Sequence, residues 1–160
     1  MEKIKLIECP RDAMQGLHNF IETKDKIRYI NSLLQVGFDT LDVGSFVSPR
    51  MIPQMRDTPE VLNGINWEVS QTKLLTIVGN KKGASRAAEF EQVTYLGYPF
   101  SISETFQLRN TNASIEESLG RLADIREVCD EHHKSLVVYL SMGFGNPYGD
   151  SWSPSLVTEW

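Results

Sequence analysis

Short apolar runs recur along the chain and are separated by segments of helical or polar character. The five strongest runs predict β-strands at residues 4–7, 38–43, 73–78, 92–96 and 135–140. Their apolar residues are contiguous rather than alternating, which is typical of strands that are buried on both faces of a parallel sheet. Because helical segments separate these strands, the pattern predicts one α/β unit.

Two segments carry the periodicity of amphipathic helices. The first predicted helix spans residues 24–36, with Thr23 as its cap and Gly37 at its end. The second begins at Ser114, which forms a Ser-x-x-Glu capping box with Glu117. The predicted apolar stripe of this second helix consists of Ile115, Leu119, Leu122, Ile125 and Cys129.

The segments between these elements are predicted to be loops or short helices. Residues 51–67 contain two prolines and can hold only short helices, and residues 81–90 predict one more. Residues 97–112 are predicted to form a long polar binding loop. A glycine-rich loop at residues 143–149 follows the fifth strand, and Ser153-Pro154 predicts the start of another helix.

Two architectures satisfy this alternation of strands and helices. A doubly wound sheet would be complete in 160 residues. A (β/α)8 TIM barrel needs about 250 residues, so only about its first five βα units would be present. The helix predicted at Ser153-Pro154 has barely begun when the sequence ends at Trp160. We therefore expect residues 1–160 to be the truncated N-terminal part of a single domain if the fold is a barrel.

Composition and charge narrow the possible functions. The hydrophobic content of 41% suits a globular domain, and the net charge of −5 argues against nucleic-acid binding. No apolar run reaches the roughly 18 residues that span a bilayer, and no targeting segment precedes the first strand. Cys9 and Cys129 are expected to be reduced thiols. These features predict a cytoplasmic protein that binds neither nucleic acid nor membrane.

Candidate chemistry is concentrated just after the first predicted strand. Pro10 should end that strand and place Arg11 and Asp12 on the following turn, at the edge of the sheet where α/β proteins bind ligands. Arg11 is suited to stabilising an oxyanion, and Asp12 to binding Mg²⁺ or Mn²⁺. Because Asp42 and Glu104 also fall near strand ends, we expect three carboxylates to converge there. The alternative is a surface ion pair between Arg11 and Asp12.

Other reactive side chains are predicted to be structural. Cys9 has no histidine partner at a strand end, so a structural thiol is favoured over a nucleophile. His132 and His133 are adjacent in the last turn of the second predicted helix, where their side chains point about 100° apart. Such a pair rarely shares one metal ion. His18 remains open.

Several motifs carry a family resemblance in colinear order. Residues 10–15, Pro-Arg-Asp-Ala-Met-Gln, resemble the Pro-Arg-Asp-Gly-Leu-Gln signature of 3-hydroxy-3-methylglutaryl-CoA (HMG-CoA) lyases, a family of metal-dependent TIM barrels. Five further matching segments lie at residues 45–49, 53–55, 103–112, 114–118 and 145–148. The resemblance implies a TIM barrel of which this chain is the N-terminal half.

The resemblance also implies an activity and roles for individual residues. The family cleaves hydroxymethylglutaryl-CoA to acetyl-CoA and acetoacetate, so the implied substrate is an acyl-CoA. Asp12 would bind the divalent cation, and Arg11 would hold the thioester oxygen as the enolate forms. Gln15 would orient the loop or the substrate. The resemblance further implies that Asp42 is catalytic with Arg11, and that Ser45 and Glu104 bind the substrate with Gln15. The full-length enzyme is expected to be a homo-oligomer, a dimer.

The sequence also departs from the family pattern. Asp42 stands where the family usually has glutamate, and the family's later His-x-His pair, asparagine and loop cysteine have no counterpart here. Most metal ligands are therefore missing, and we expect the chain alone to have little or no activity. Two alternatives remain: a related aldolase or condensing enzyme, or a non-catalytic half-barrel that pairs through its open edge strands.

Overall fold

The computed structural model describes residues 4–160, in which five strands form one parallel sheet. The strands are β1 (Ile7–Glu8), β2 (Thr40–Ser45), β3 (Lys73–Ile77), β4 (Val93–Ser101) and β5 (Ser135–Ser141). Their spatial order follows their order in the chain, and every neighbouring pair is parallel. A doubly wound sheet reverses its strand order at a switch point, whereas a barrel does not. The structure is therefore a curled half-barrel of five βα units.

Seven α-helices connect or follow these strands. They are α1 (Pro10–Gln15), α2 (Thr23–Leu34), α3 (Thr58–Gly64), α4 (Lys81–Ala88), α5 (Glu104–Thr111), α6 (Ile115–Glu131) and α7 (Pro154–Glu159), and there are short 3₁₀ helices at Pro53–Met55 and Trp67–Val69. The capping box of α6 is confirmed, because Ser114 and Glu117 exchange hydrogen bonds as expected. The helix predicted at Ser153-Pro154 is α7, with Ser153 as its cap.

The hydrophobic core lies between the outer face of the sheet and the helices. Leu41, Leu74 and Leu96 supply the strand side, and each is at most 1% exposed. Ile125 of α6 is fully buried against them, as predicted. Burying a side chain of this size stabilises the fold by about 1.5–3 kcal/mol. This layer holds the strand ends in fixed positions.

Three local predictions are wrong. Residues 4–6 lie outside β1, and Ile4 and Leu6 are exposed beside the edge of the sheet. Thr23 is the first residue of α2 and makes no capping bond, so the helix begins one residue earlier than expected. Leu119 is 44% exposed, because the buried stripe of α6 does not extend to it.

The predicted loop at residues 97–112 is also wrong. Its first part continues β4 to Ser101, and most of the remainder is helix α5. Gly97 fits the strand because a Cβ there would lie 2.8 Å from Cδ1 of Ile77. Pro99 lies beyond the last residue of β4 that pairs with β3, so its missing N–H interrupts no bond on that side. Gly97 and Pro99 favour a loop locally, but pairing with the neighbouring strands places both residues in β4.

Candidate active site

The candidate site begins where β1 passes into α1. Pro10 occupies the first helical position, for which its fixed φ angle is suited. Arg11 and Asp12 therefore lie in the first turn of a short helix that directly follows β1. One further turn brings Gln15 onto the same side as Arg11, because residues four apart are neighbours on a helix surface.

Arg11 is the centre of a hydrogen-bonded cluster. Its Nε donates to both carboxylate oxygens of Asp42, at 3.2 and 3.0 Å, and its Nη2 donates to Oδ2 of Asp42. Its Nη1 donates to Oδ1 of Asp12 and to Oε1 of Gln15, both at 2.9 Å. A guanidinium has five N–H groups, so one on Nη2 remains for another acceptor.

The ion pair between Arg11 and Asp42 is buried, which strengthens it and limits what else Asp42 can contact. The Arg11 side chain is 11% exposed and that of Asp42 is fully buried. Burial alone would lower the pKa of Arg11, but the hydrogen bonds and charge of Asp42 outweigh it and the pKa is raised. Burial raises the pKa of Asp42 against the opposing effect of Arg11. Since Asp42 has no exposed surface, it contacts Arg11 and not the open space beyond.

That open space is a cavity of about 1000 Å³ at the carboxyl ends of the strands. Arg11, Asp12 and Gln15 line one side of it. Helix α5, which lies in the segment predicted as a binding loop, lines another side through Phe106, Arg109 and Asn110. The cavity therefore has a guanidinium and a carboxylate on one wall, and the guanidinium groups of Arg109 and Arg121 also line it.

Two predicted site residues lie elsewhere. The carboxylate of Glu104 accepts a hydrogen bond from the backbone N–H of Ile115, so it caps α6 and does not line the cavity. Ser45 is 2% exposed, and its hydroxyl accepts a hydrogen bond from the backbone N–H of Val47. The expected convergence of three carboxylates is therefore wrong, because only Asp12 and Asp42 meet at Arg11.

Tyr139 of β5 is a cavity residue that sequence reasoning missed. Burial and the nearby charge of Asp42 raise its pKa to about 12, so its hydroxyl stays protonated and can donate a hydrogen bond. The available signal was strand alternation, which places Tyr139 and Ser141 on the same inner face of β5.

Cys9 also lines the cavity, and its environment disfavours a thiolate. Burial and the charge of Asp42 raise the pKa of the Cys9 thiol. It is therefore predominantly protonated near neutral pH, which agrees with the prediction that it is not a nucleophile.

The donor set fits part of a metal site. Within residues 4–160, no three histidine, cysteine, aspartate or glutamate side chains are close enough to hold an ion together. Asp12 is 67% exposed at its side chain and directs one carboxylate oxygen to Arg11, which leaves Oδ2 for another partner. Asp12 can therefore supply one oxygen ligand, while Asp42 is fully occupied by Arg11.

The strand order and the position of the cavity define a class of protein. Parallel strands in consecutive order, with polar side chains and a cavity at their carboxyl ends, are the features of a TIM-barrel enzyme site. The described residues form about the first five βα units of such a barrel.

Sequence comparison identifies the relatives. The chain is homologous to HMG-CoA lyases over nearly its whole length. It is 36% identical over 157 residues to the 3-hydroxy-3-isohexenylglutaryl-CoA/hydroxy-methylglutaryl-CoA lyase of Pseudomonas aeruginosa, covering 98% of this chain and 52% of that protein. It is 36% identical over 163 residues to a cytoplasmic 3-hydroxy-3-methylglutaryl-CoA lyase of Rattus norvegicus, covering 99% of this chain and 46% of that protein.

Structural comparison agrees with the sequence. An HMG-CoA lyase from Acinetobacter baumannii, solved with coenzyme A and 3-methylmalate, matches with a TM-score of 0.89 and 30% identity. The match covers 98% of this chain and 51% of that one. The chain thus spans about half the length of the curated relatives it matches, and no family model matches it.

The names of the relatives indicate more than one cellular location. They include cytoplasmic and mitochondrial enzymes. None of the helices described in residues 4–160 is long and apolar enough to cross a membrane.

Proposed function

We propose that this chain forms the arginine-bearing part of the active site of a carbon–carbon lyase. The reaction is cleavage of hydroxymethylglutaryl-CoA to acetyl-CoA and acetoacetate. The observation that carries the proposal is Arg11, which faces the cavity in a hydrogen-bonded cluster and retains one N–H for an acceptor. The homology to HMG-CoA lyases supplies the substrate class.

The chemistry requires a group that stabilises developing negative charge. When the bond between C2 and C3 breaks, its electrons move onto the thioester carbonyl and form an enolate, while the C3 hydroxyl loses its proton and becomes the ketone of acetoacetate. A proton then adds to C2 and gives acetyl-CoA. The free N–H of Arg11 is suited to the enolate oxygen, since a fixed charged donor stabilises such an oxyanion strongly.

The neighbours of Arg11 have distinct parts in this proposal. Asp42 is a positioning residue, because it fixes two edges of the guanidinium and has no surface of its own. Gln15 accepts through Oε1, which leaves its Nε2 group free to donate to the substrate. Asp12 would supply one ligand to a divalent cation, which when bound would lower the pKa of the substrate hydroxyl. The ion would be Mg²⁺ or Mn²⁺, with its other ligands from outside the described residues.

The same comparison supports a proposed domain assignment. We propose that residues 1–160 are the N-terminal part of one catalytic barrel, supported by their match to about half of each relative. A homodimer is proposed for the complete enzyme. A cytoplasmic location is also proposed, because cytoplasmic HMG-CoA lyases are among the relatives.

The proposal is tested by measuring acetoacetate and acetyl-CoA release from hydroxymethylglutaryl-CoA by the full-length gene product, with Mg²⁺ or Mn²⁺ added. We expect both products in equal amounts, and little or no turnover by the 160-residue chain alone. Turnover of a different acyl-CoA or of a keto acid, without release of acetoacetate, would instead identify a related aldolase or condensing enzyme.

A second candidate function follows from the edges of the sheet. Among the described strands, β1 and β5 each pair on one side only. Unpaired strand edges are templates for association. If the chain is a non-catalytic pairing module, light scattering of the 160-residue chain will show an obligate oligomer, whereas a folded monomer rules this out.

A further inference from the structure

The loop after β5 is fastened to the N-terminus of α5 by Asp150. The Asp150 carboxylate accepts hydrogen bonds from the Ser103 hydroxyl and from both the backbone N–H and the hydroxyl of Thr105, the last two at 3.0 and 2.8 Å. These bonds lower the pKa of Asp150, so the carboxylate is charged at neutral pH. Two elements from different parts of the chain are thereby tied at one point.

Asn146 makes the fastened loop rigid. Its Oδ1 accepts hydrogen bonds from the backbone N–H groups of Tyr148 and Asp150, both at 3.0 Å, and its Nδ2 donates to the Asp150 carbonyl at 2.9 Å. Tyr148 is therefore held in a closed turn between Asn146 and Asp150. The backbone of Tyr148 is therefore held by the same side chain that holds the backbone of Asp150.

Tyr148 contacts two of the α5 side chains that line the cavity. Its ring centroid lies 6.3 Å from that of Phe106, and the guanidinium carbon of Arg109 lies 4.9 Å from the Tyr148 ring centroid. A cation near an aromatic face is attracted to it by about 0.5–1 kcal/mol at exposed sites. The loop after β5 thus packs the Tyr148 ring against Arg109 at the rim of the cavity.

Helix α5 is short and mostly exposed, so its position depends on tertiary contacts. Of its eight residues only Gln107 is buried, and Leu108 is 48% exposed. A helix of this length is not stable by itself. Hydrogen bonds join it to α6: Glu104 accepts from the Ile115 N–H, and Nε2 of Gln107 donates to the Ser118 hydroxyl at 2.6 Å. The bonds to Asp150 join the N-terminus of α5 to the loop after β5.

We propose that Asp150 is a positioning residue that locks the β5 loop onto α5 and thereby holds Arg109 at the cavity for an anionic acyl-CoA ligand. The ligand part of this inference rests on the proposed function, whereas the lock itself does not. Asp150 acts on the ligand only through Tyr148 and Arg109.

The lock is tested by amide hydrogen exchange of the full-length protein and its D150A and D150N variants. We expect exchange of residues 104–111 to accelerate at least tenfold in D150A, and less in D150N, since an amide oxygen still accepts the Thr105 N–H. D130A is the matched control, because Asp130 forms an exposed ion pair with Arg126 on α6. Unchanged exchange in D150A would overturn the lock whether or not the protein is a lyase.

The link to Arg109 is tested by calorimetric titration with coenzyme A. We expect D150A to weaken binding about tenfold, R109M to weaken it similarly, and D150A to add little in the R109M background. Equal affinities of D150A and the wild type, or additive effects in the double variant, would overturn the positioning role. If the wild type does not bind coenzyme A, the proposed function fails, and hydrogen exchange still decides the lock.

Discussion

Replacing Asp42 with alanine would leave the Arg11 guanidinium without its main partner in a site that is almost closed to water. Three N–H···O contacts join the two side chains, and their exposures are 11% for Arg11 and zero for Asp42. Breaking a buried ion pair on one side costs about 3–5 kcal/mol, because a buried charge is left unpaired. Arg11 keeps its bond to Asp12, which is largely solvated. We therefore expect D42A to lower the free energy of unfolding by about 3 kcal/mol.

The assay is unfolding in guanidinium chloride, with the change taken from the midpoint at constant slope. D12A is the matched control: its side chain is 67% exposed, so its loss should cost under about 0.5 kcal/mol. R11A should be nearly as costly as D42A, since it leaves Asp42 buried and unpaired. A D42A cost below about 1 kcal/mol, or one equal to that of D12A, would refute the view that this pair is buried and strongly coupled.

Three further predictions concern stability and titration. K26M should cost about 3–5 kcal/mol in the same unfolding assay, because Lys26 is 2% exposed and pairs with the largely buried Asp57. G83A should destabilise the protein by about 1–3 kcal/mol, since the added Cβ would lie 2.8 Å from a main-chain oxygen. In contrast, G120A should stabilise α6 by up to about 1 kcal/mol, because a Cβ at Gly120 would lie in open space. Absorbance titration near 295 nm should show a tyrosine component with a pKa of about 12 that disappears in Y139F. Because the folded pKa of Tyr139 is raised, this residue's contribution to stability should be lost as pH rises from about 10 to 12.

The sequence predicted those features that depend on neighbouring residues or on periodicity. The capping box at Ser114 and the helix start at Ser153 are local hydrogen-bond patterns, and both are confirmed. The five parallel strands were expected from contiguous apolar runs, and the consecutive strand order selects the barrel. Arg11 and Asp12 were singled out because they follow a predicted strand, where α/β proteins bind ligands, and because residues 10–15 resemble the HMG-CoA lyase signature.

The errors arose where distant residues decide the conformation. Gly97 and Pro99 favour a loop locally, but pairing with β3 and β5 keeps them in β4. Glu104 follows a strand in sequence, yet its carboxylate turns to the backbone of Ile115 instead of the cavity. The environment of Tyr139 depends on charges from β2 and α1, which no local pattern in β5 contains.

The most direct test of the central claim is lyase turnover of the R11Q variant in the full-length protein. If Arg11 stabilises the enolate oxygen, R11Q should lower kcat by at least about 100-fold with little change in KM. R28Q serves as the control, because Arg28 forms an exposed ion pair with Asp25 on α2 and should leave turnover unchanged. Circular dichroism should confirm that R11Q is folded. A folded R11Q protein that releases acetoacetate from hydroxymethylglutaryl-CoA at the wild-type rate would contradict the account.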